Sequence, residues 1–227
     1  MILVELFPIA LLGAFLGLDV VTFPQAMISR PLVAATVAGT LMGNPGGGMI
    51  IGVVLELLAL EMLPFGASRY PEWGSASVVG GAIYAVYPPD QAGALAGALL
   101  AALVTAVVSG WSMVKLRRLN GSHAAARRDG LDAGVPSVVI GTQLFGLTAD
   151  FVRGGLVTFF ALLFFQPLVG ALLARWTTNA AYSRGVVVAM VAAVSAGAIW
   201  KIFHTVAHAR VYLLAGLAAG AAIIITR

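Results

Sequence analysis

The chain has 227 residues, of which 60% are hydrophobic and 10% charged, with a net charge of +4 and a mean hydropathy of +0.99. Soluble domains carry about 25% charged residues, so this composition excludes a water-soluble globular fold and favours a membrane protein. Cysteine is absent, which excludes disulfides, thiolate metal sites and cysteine nucleophiles. Because the basic residues gather in short loops, membrane topology explains the positive charge better than nucleic acid, and we expect no nucleic-acid partner.

The first apolar segment covers residues 2–18. It begins without a cluster of Lys or Arg, and no clear small-residue cleavage site precedes Asp19. Signal peptides carry both features, so we expect a retained first span.

Two unequal apolar arms, residues 31–43 and 49–65, meet at the turn that begins with Asn44-Pro45 and continues through three glycines. As a helix the first arm would be about 20 Å long at 1.5 Å per residue. A bilayer core is about 30 Å thick, so this arm is too short to cross it. The pair predicts a broken, re-entrant hairpin.

Further apolar segments follow at residues 75–87, 91–114, 135–149, 154–174, 185–200 and 211–225. They are continuously apolar and do not alternate, which favours helices over a barrel. We therefore predict an all-α fold: a polytopic membrane helical bundle with short re-entrant or broken helices, forming a single integral-membrane domain over residues 1–227.

A basic stretch divides the chain into a first helical part, residues 1–114, and a second, residues 135–227. We predict that residues 115–134 form a cytoplasmic loop, because short loops rich in Lys and Arg stay on that side of the membrane. Its basic residues are Lys115, Arg117, Arg118, Arg127 and Arg128.

The second arm of the hairpin contains two carboxylates, Glu56 and Glu61. A carboxylate at mid-membrane costs at least about 3 kcal/mol on the insertion scale, so such residues usually mark a substrate or ion path. Short hydrophobic segments interrupted by Gly or Pro are also the sequence pattern of transporter binding sites. The pattern predicts a transport protein.

An ordered set of motifs in the first third resembles a known family. The motifs are Asp19, Ser29-Arg30-Pro31, Leu41-Met42-Gly43-Asn44-Pro45 and Gly52-Val53-Val54-Leu55-Glu56, continued by residues 63–72 and 143–153. Together they resemble the IIC (permease) component of the mannose/sorbose family of the bacterial phosphoenolpyruvate-dependent sugar phosphotransferase system.

The resemblance implies a multi-pass subunit of the bacterial cytoplasmic (inner) membrane that binds a hexose-like sugar and passes it inward. It implies a related IID membrane subunit as partner, with higher oligomers of the IIC–IID pair. Cytoplasmic IIB and IIA subunits would carry the phosphoryl chemistry, so this chain would hold no catalytic residue, cofactor or metal.

The candidate sugar-binding residues are Glu56, Asp19, Gln25 and Arg30. Sugar hydroxyls must exchange water for protein hydrogen bonds, and carboxylates and amides are their natural partners. Glu56 is the first choice. The alternative is a structural pair between Glu56 and Arg30 or Arg153, and for Arg30 itself a structural role is the favoured interpretation.

Other charged residues suggest less specific roles. We expect Glu61 to face an interface or a partner, and Arg69 and Glu72 to be membrane-interface anchors beside Tyr70 and Trp73, with a sugar gate as the alternative. Asp150 and Arg153 stand at helical spacing and are expected to neutralise each other.

Catalytic alternatives find little support. His204 and His208 stand four residues apart, but the glutamate of a zincin motif is missing, and Lys201 and Arg210 would repel a cation. No P-loop or nucleophile-elbow pattern occurs, and His123 is given no phosphoryl role. A sugar permease is the first hypothesis. A non-transporting IIC-like protein with a sensing or regulatory role is the second, and an intramembrane enzyme the third.

Overall fold

The computed structural model describes residues 3–60, 69–88, 91–175 and 178–225. This part of the chain is 82% helical and contains no strand, which confirms the predicted all-α class. The helices are α1 (Leu3–Asp19), α2 (Pro31–Leu41), α3 (Pro45–Ala59), α4 (Trp73–Ala85), α5 (Ala92–Ala125), α6 (Arg128–Asp132), α7 (Pro136–Leu173), α8 (Ala180–Phe203) and α9 (Ala209–Ile225). Among the described residues, α5, α7 and α8 are long and apolar enough to cross a membrane.

Helix α4 is the centre of the bundle, and all thirteen of its residues are buried. Its neighbours are α1, α2, α3, α5 and α7. They approach closely because α4 is rich in Gly, Ala and Ser. A Cβ added to Gly81 would lie 2.5 Å from the Ala35 carbonyl oxygen of α2, and one on Gly74 would lie 2.4 Å from the Leu16 carbonyl oxygen of α1.

Helices α2 and α3 form the predicted broken hairpin and pack on each other and on α4. Each begins with a proline in its first turn, where the missing N–H costs nothing. Gly43 makes the turn between them at φ +78°. The two backbones approach so closely that a Cβ on Gly48 would lie 2.3 Å from the Ala35 carbonyl oxygen.

The tip of the hairpin is fixed by one side chain. Asn44 Oδ1 accepts a hydrogen bond from Gly47 N at 2.9 Å, which caps α3. Asn44 Nδ2 donates to the Ala85 carbonyl oxygen, also at 2.9 Å. The tip is therefore attached to the carboxyl end of the central helix.

The structure corrects two boundaries drawn from hydropathy. Residues 115–134, predicted as a basic loop, are largely helical: α5 continues to Ala125 and the short α6 follows. Lys, Arg, Leu and Ala all have high helix propensity, so polarity there does not end the helix. The segments predicted at 135–149 and 154–174 belong to one helix, α7 (Pro136–Leu173), in which Asp150 and Arg153 pair with each other.

Helices α8 and α9 lie at the periphery. Helix α8 packs against α3 and α5, and α9 contacts α8 alone among the described elements. Both expose large apolar side chains, among them Val188, Tyr212 and Leu214. Outward apolar faces are typical of a protein solvated by lipid.

Candidate functional site

The base of the α2–α3 hairpin is closed by an ion pair between two predicted site residues. The Arg30 guanidinium donates to Glu56 Oε1, and Leu32 N donates to Glu56 Oε2 at 3.2 Å. The side chains are 34% and 19% exposed, so the described part of the chain covers the pair only in part. Arg30 stands immediately before α2, and Glu56 lies in the last turn of α3. The structure thus contains the structural pair that was the alternative for Glu56, with Arg30 as the partner and not Arg153.

Asp19 organises the loop between α1 and α2. Its Oδ1 accepts from Ala26 N at 2.7 Å and its Oδ2 from Ser29 N at 2.8 Å, and the residue is only 2% exposed. Both oxygens are occupied by backbone amides. In this conformation the carboxylate holds the loop in place next to Arg30.

Gln25 lies in that same loop, and its side chain is exposed. It adopts φ 58°, and its Nε2 donates to the Val21 carbonyl oxygen at 2.8 Å. The four predicted site residues therefore share one end of the hairpin. Only Arg30 and Glu56 contact each other directly.

A second polar centre is buried between α4, α5 and α7. Glu72 is 0% exposed; its Oε1 accepts from Ser75 N at 3.1 Å and so caps α4. Its Oε2 accepts from Ser109 Oγ at 2.6 Å. The same Ser109 Oγ accepts from Arg153 Nη1 at 2.7 Å. One hydroxyl therefore links a buried carboxylate to a buried guanidinium.

Arg153 extends this centre to the loop after α1. Its Nε donates to Asp150 Oδ1 at 2.8 Å, and Asp150 Oδ2 accepts from the Thr22 hydroxyl. Arg153 Nη1 also approaches Glu72 Oε2 at 4.0 Å. Arg153 Nη2 is buried without a hydrogen-bond partner. We name Glu72, Ser109, Asp150 and Arg153 the buried network; through Thr22 it contacts the α1–α2 loop.

The buried network was only partly foreseen. The pairing of Asp150 with Arg153 is confirmed. The interpretation of Glu72 as an interface anchor is wrong, because Glu72 is 0% exposed, and Trp73 beside it is only 8% exposed. The available signal was an acidic residue directly before an apolar helix, where a carboxylate interacts favourably with free N–H groups. Arg69 is exposed, and Glu61 lies outside the described residues.

The segment before α4 also contacts the polar end of α5. Arg117 donates to the Tyr70 hydroxyl and lies over the Tyr70 ring, 5.0 Å from its centre. Burial raises the pKa of the Tyr70 hydroxyl above its ordinary value of 10.0, so the phenol stays neutral at physiological pH. This contact joins the segment before α4 to Arg117 of α5.

A family model described as the sorbose-specific IIC component of the PTS system matches residues 3–225. The chain belongs to this family. This membership, together with the three long apolar helices among the described residues, identifies the chain as a membrane protein. The resemblance drawn from the sequence motifs is confirmed.

Curated relatives match the IIC-family chain over short stretches. The sorbose-specific EIIC component of Lacticaseibacillus casei is 40% identical over 50 residues, 22% of this chain and 18% of the relative. The mannose-specific EIIC component of Escherichia coli (strain K12) is 40% identical over 50 residues, 22% and 19% of the two chains. The fructose permease IIC component of Bacillus subtilis (strain 168) is 38% identical over 55 residues, 24% and 20%. The matched stretch spans about a fifth of each relative.

Proposed function

We propose that this chain is the sugar-translocating IIC subunit of a mannose/sorbose-type phosphotransferase system. The observation that carries the proposal is the family match over residues 3–225, on a chain whose short α2–α3 hairpin holds a partly exposed carboxylate at its base. The names of the relatives, specific for sorbose, mannose and fructose, point to a hexose-like substrate.

The hairpin base is the proposed entrance for the sugar. A carboxylate accepts strong hydrogen bonds and a guanidinium donates several, so Glu56 and Arg30 together offer both functions to a sugar hydroxyl. Binding there would replace part of the Arg30–Glu56 pair by sugar contacts. Asp19 would hold the loop in position, and Gln25 would present an exposed amide beside it.

The phosphoryl chemistry is assigned to partners. We propose a IID membrane subunit as the companion of this multi-pass chain in the bacterial cytoplasmic membrane, with oligomers of that pair. Cytoplasmic IIB, loaded by IIA, would phosphorylate the arriving sugar. This chain would then supply binding and passage without a catalytic residue, cofactor or metal.

The test is sugar uptake coupled to phosphorylation. Cells without their own permeases of this type would receive this chain with its IID, IIB and IIA proteins and a radiolabelled hexose. We expect sugar phosphate to accumulate only when this chain is present. The Glu56→Gln variant should weaken sugar binding yet still assemble with IID, whereas Asp132→Asn, an exposed acid on α6, serves as the matched control.

A non-transporting IIC-like protein with a sensing or regulatory role is the second candidate. It is favoured by the short stretch of identity with the curated relatives. Saturable sugar binding without uptake of any hexose would support it over the permease.

A further inference from the structure

Helices α8 and α9 form an apolar groove of about 470 Å³ at the periphery of the bundle. Its lining includes Trp200 and Phe203 of α8, and Tyr212 and Gly216 of α9. All of its described lining residues belong to these two helices and the turn between them, so no other described element covers the groove. Small-molecule sites usually measure about 300–1,000 Å³, and the groove has that size.

One end of the groove carries a positive charge. The Arg210 guanidinium lies over the ring of Trp200, 5.9 Å from its centre, and Arg210 is exposed. The imidazole of His204 lies near the same ring, at 6.2 Å between ring centres. Since Trp200 lines the groove, this cation stands at the end of the groove next to the α8–α9 turn. Lys201 lines a separate cavity between α8 and α3.

The charge of Arg210 is not balanced within the described part of the chain. No described carboxylate lies within ion-pair distance of Arg210. The sequence from residue 154 to residue 227 contains no Asp or Glu, although it contains Arg175, Arg184, Lys201 and Arg210. The turn end of the groove is therefore suited to an anion.

The α8–α9 turn lies on the same side of the bundle as the basic residues 115–134. Helix α7 begins just after that stretch, and α7 and α8 are each long and apolar enough to cross a membrane. Two crossings return the chain to the side where it started, which the positive-inside rule assigns to the cytoplasm. The cytoplasmic leaflet carries anionic lipids, and basic pockets between membrane helices on that side bind their headgroups.

The groove also has the polarity gradient of a lipid site. Trp and Tyr are enriched at the membrane–water interface, so Trp200 and Tyr212 mark the headgroup level. Gly216 lies six residues after Arg210, which is about 9 Å further along α9 at 1.5 Å per residue. The groove thus runs from the charged turn into the apolar part of the helix pair.

We propose that the α8–α9 groove binds an anionic phospholipid, with an acyl chain in the groove and the phosphate at Arg210. A zwitterionic lipid has the same chains but no net negative charge, so the site selects by headgroup charge. An acidic protein would use the charge and leave the apolar groove unfilled, which favours the lipid. The proposal requires a membrane protein and does not rest on sugar transport.

Trp200 makes the groove directly observable, because a brominated acyl chain quenches the fluorescence of a tryptophan that it contacts. The full chain would be reconstituted in phosphatidylcholine vesicles with increasing fractions of dibrominated phosphatidylglycerol or dibrominated phosphatidylcholine. The contribution of Trp200 is the difference between the unmodified chain and Trp200→Phe. A basic residue near an anionic surface strengthens binding about fivefold, so phosphatidylglycerol should bind at Trp200 about fivefold more tightly than phosphatidylcholine.

Variants of the cation test the position of the phosphate. Arg210→Gln should lower the preference for phosphatidylglycerol about fivefold, to near equality with phosphatidylcholine. Arg210→Lys keeps the charge and should keep the preference, which separates charge from stacking on Trp200. Arg184→Gln removes the same charge from an exposed position near the start of α8 and should leave the preference unchanged.

Variants of the groove test the position of the acyl chain. Gly216 lines the groove and has open space around its Cα, so Gly216→Leu would fill the groove without a clash. This change should remove the preference for phosphatidylglycerol at Trp200. Gly220→Leu adds the same side chain to open space outside the described lining and should bind as the unmodified chain does.

The outcomes are distinct. Equal quenching of Trp200 by the two brominated lipids in the unmodified chain would overturn the proposal. A preference that survives Arg210→Gln would overturn the placement of the phosphate. Loss of the preference when the proposed IID protein is reconstituted with the chain would assign the groove to a subunit contact and overturn the lipid site. None of these results changes the expected outcome of the sugar-uptake test.

Discussion

The Arg30–Glu56 pair and the buried network around Arg153 differ in burial and in what they join. The Arg30–Glu56 pair is partly exposed and links the two arms of one hairpin. Arg153 is 8% exposed in its side chain and bonds to α5 and α7 while approaching Glu72 at the start of α4. A buried pair is costly to break, whereas an exposed pair exchanges partners with water at little cost. We infer that the buried network stabilises the packing of the bundle. The Arg30–Glu56 pair can exchange its mutual bonds for contacts with a ligand.

The largest expected effect comes from Arg153→Met. Removing the guanidinium leaves Glu72 and Asp150 buried without a counter-charge, which destabilises a protein by about 3–5 kcal/mol. Thermal unfolding of the detergent-purified chain should show a large drop in Tm or loss of the folded fraction. Arg118→Met, at an exposed position of α5, is the control and should change little. Equal stability of both variants would contradict the structural role of the buried network.

A smaller effect is expected from Gly48→Ala in the hairpin. The added methyl would lie 2.3 Å from the Ala35 carbonyl oxygen, so the backbones must separate, at a cost of about 1–3 kcal/mol. Gly46→Ala is a matched control, since its nearest contact would be an ordinary 3.8 Å. Comparing unfolding temperatures tests whether close packing, more than the ion pair, holds the hairpin. If Gly48→Ala unfolds at the same temperature as Gly46→Ala, close packing is not what holds the hairpin.

The smallest effect on stability is expected at the hairpin base. A double-mutant cycle of Arg30→Met and Glu56→Met should give a coupling energy of about 0.5–1 kcal/mol, because the pair is partly exposed. The cycle would be measured by thermal unfolding without sugar. A coupling as large as the Arg153→Met effect would place this pair with the structural network and remove its freedom to bind a ligand.

Much of the fold followed from local sequence. Apolar runs interrupted at Asn44-Pro45 predicted the hairpin, because proline starts helices and the arms are too short to span. Helix ends were harder to predict. Hydropathy drops at residues 115–134 and 150–153, yet the backbone there is largely helical. The polarity of a side chain indicates its exposure to solvent, whereas helix formation depends on helix propensity.

The site was less predictable than the fold. The motifs located Glu56 and Arg30. Their pairing depends on the packing of α2 against α3, which brings the start of α2 next to the end of α3. Glu72 and Ser109 lie 37 residues apart in sequence, and Thr22 and Asp150 lie 128 apart. No local pattern encodes such contacts, and the groove between α8 and α9 exists only once the two helices pack together.

The most direct test of the account is a binding screen of common monosaccharides against this chain reconstituted with the proposed IID partner. Calorimetric titration would measure the affinity for each sugar. We predict saturable binding of at least one hexose. Absence of saturable binding for every monosaccharide tested would contradict the claim that this bundle carries sugar.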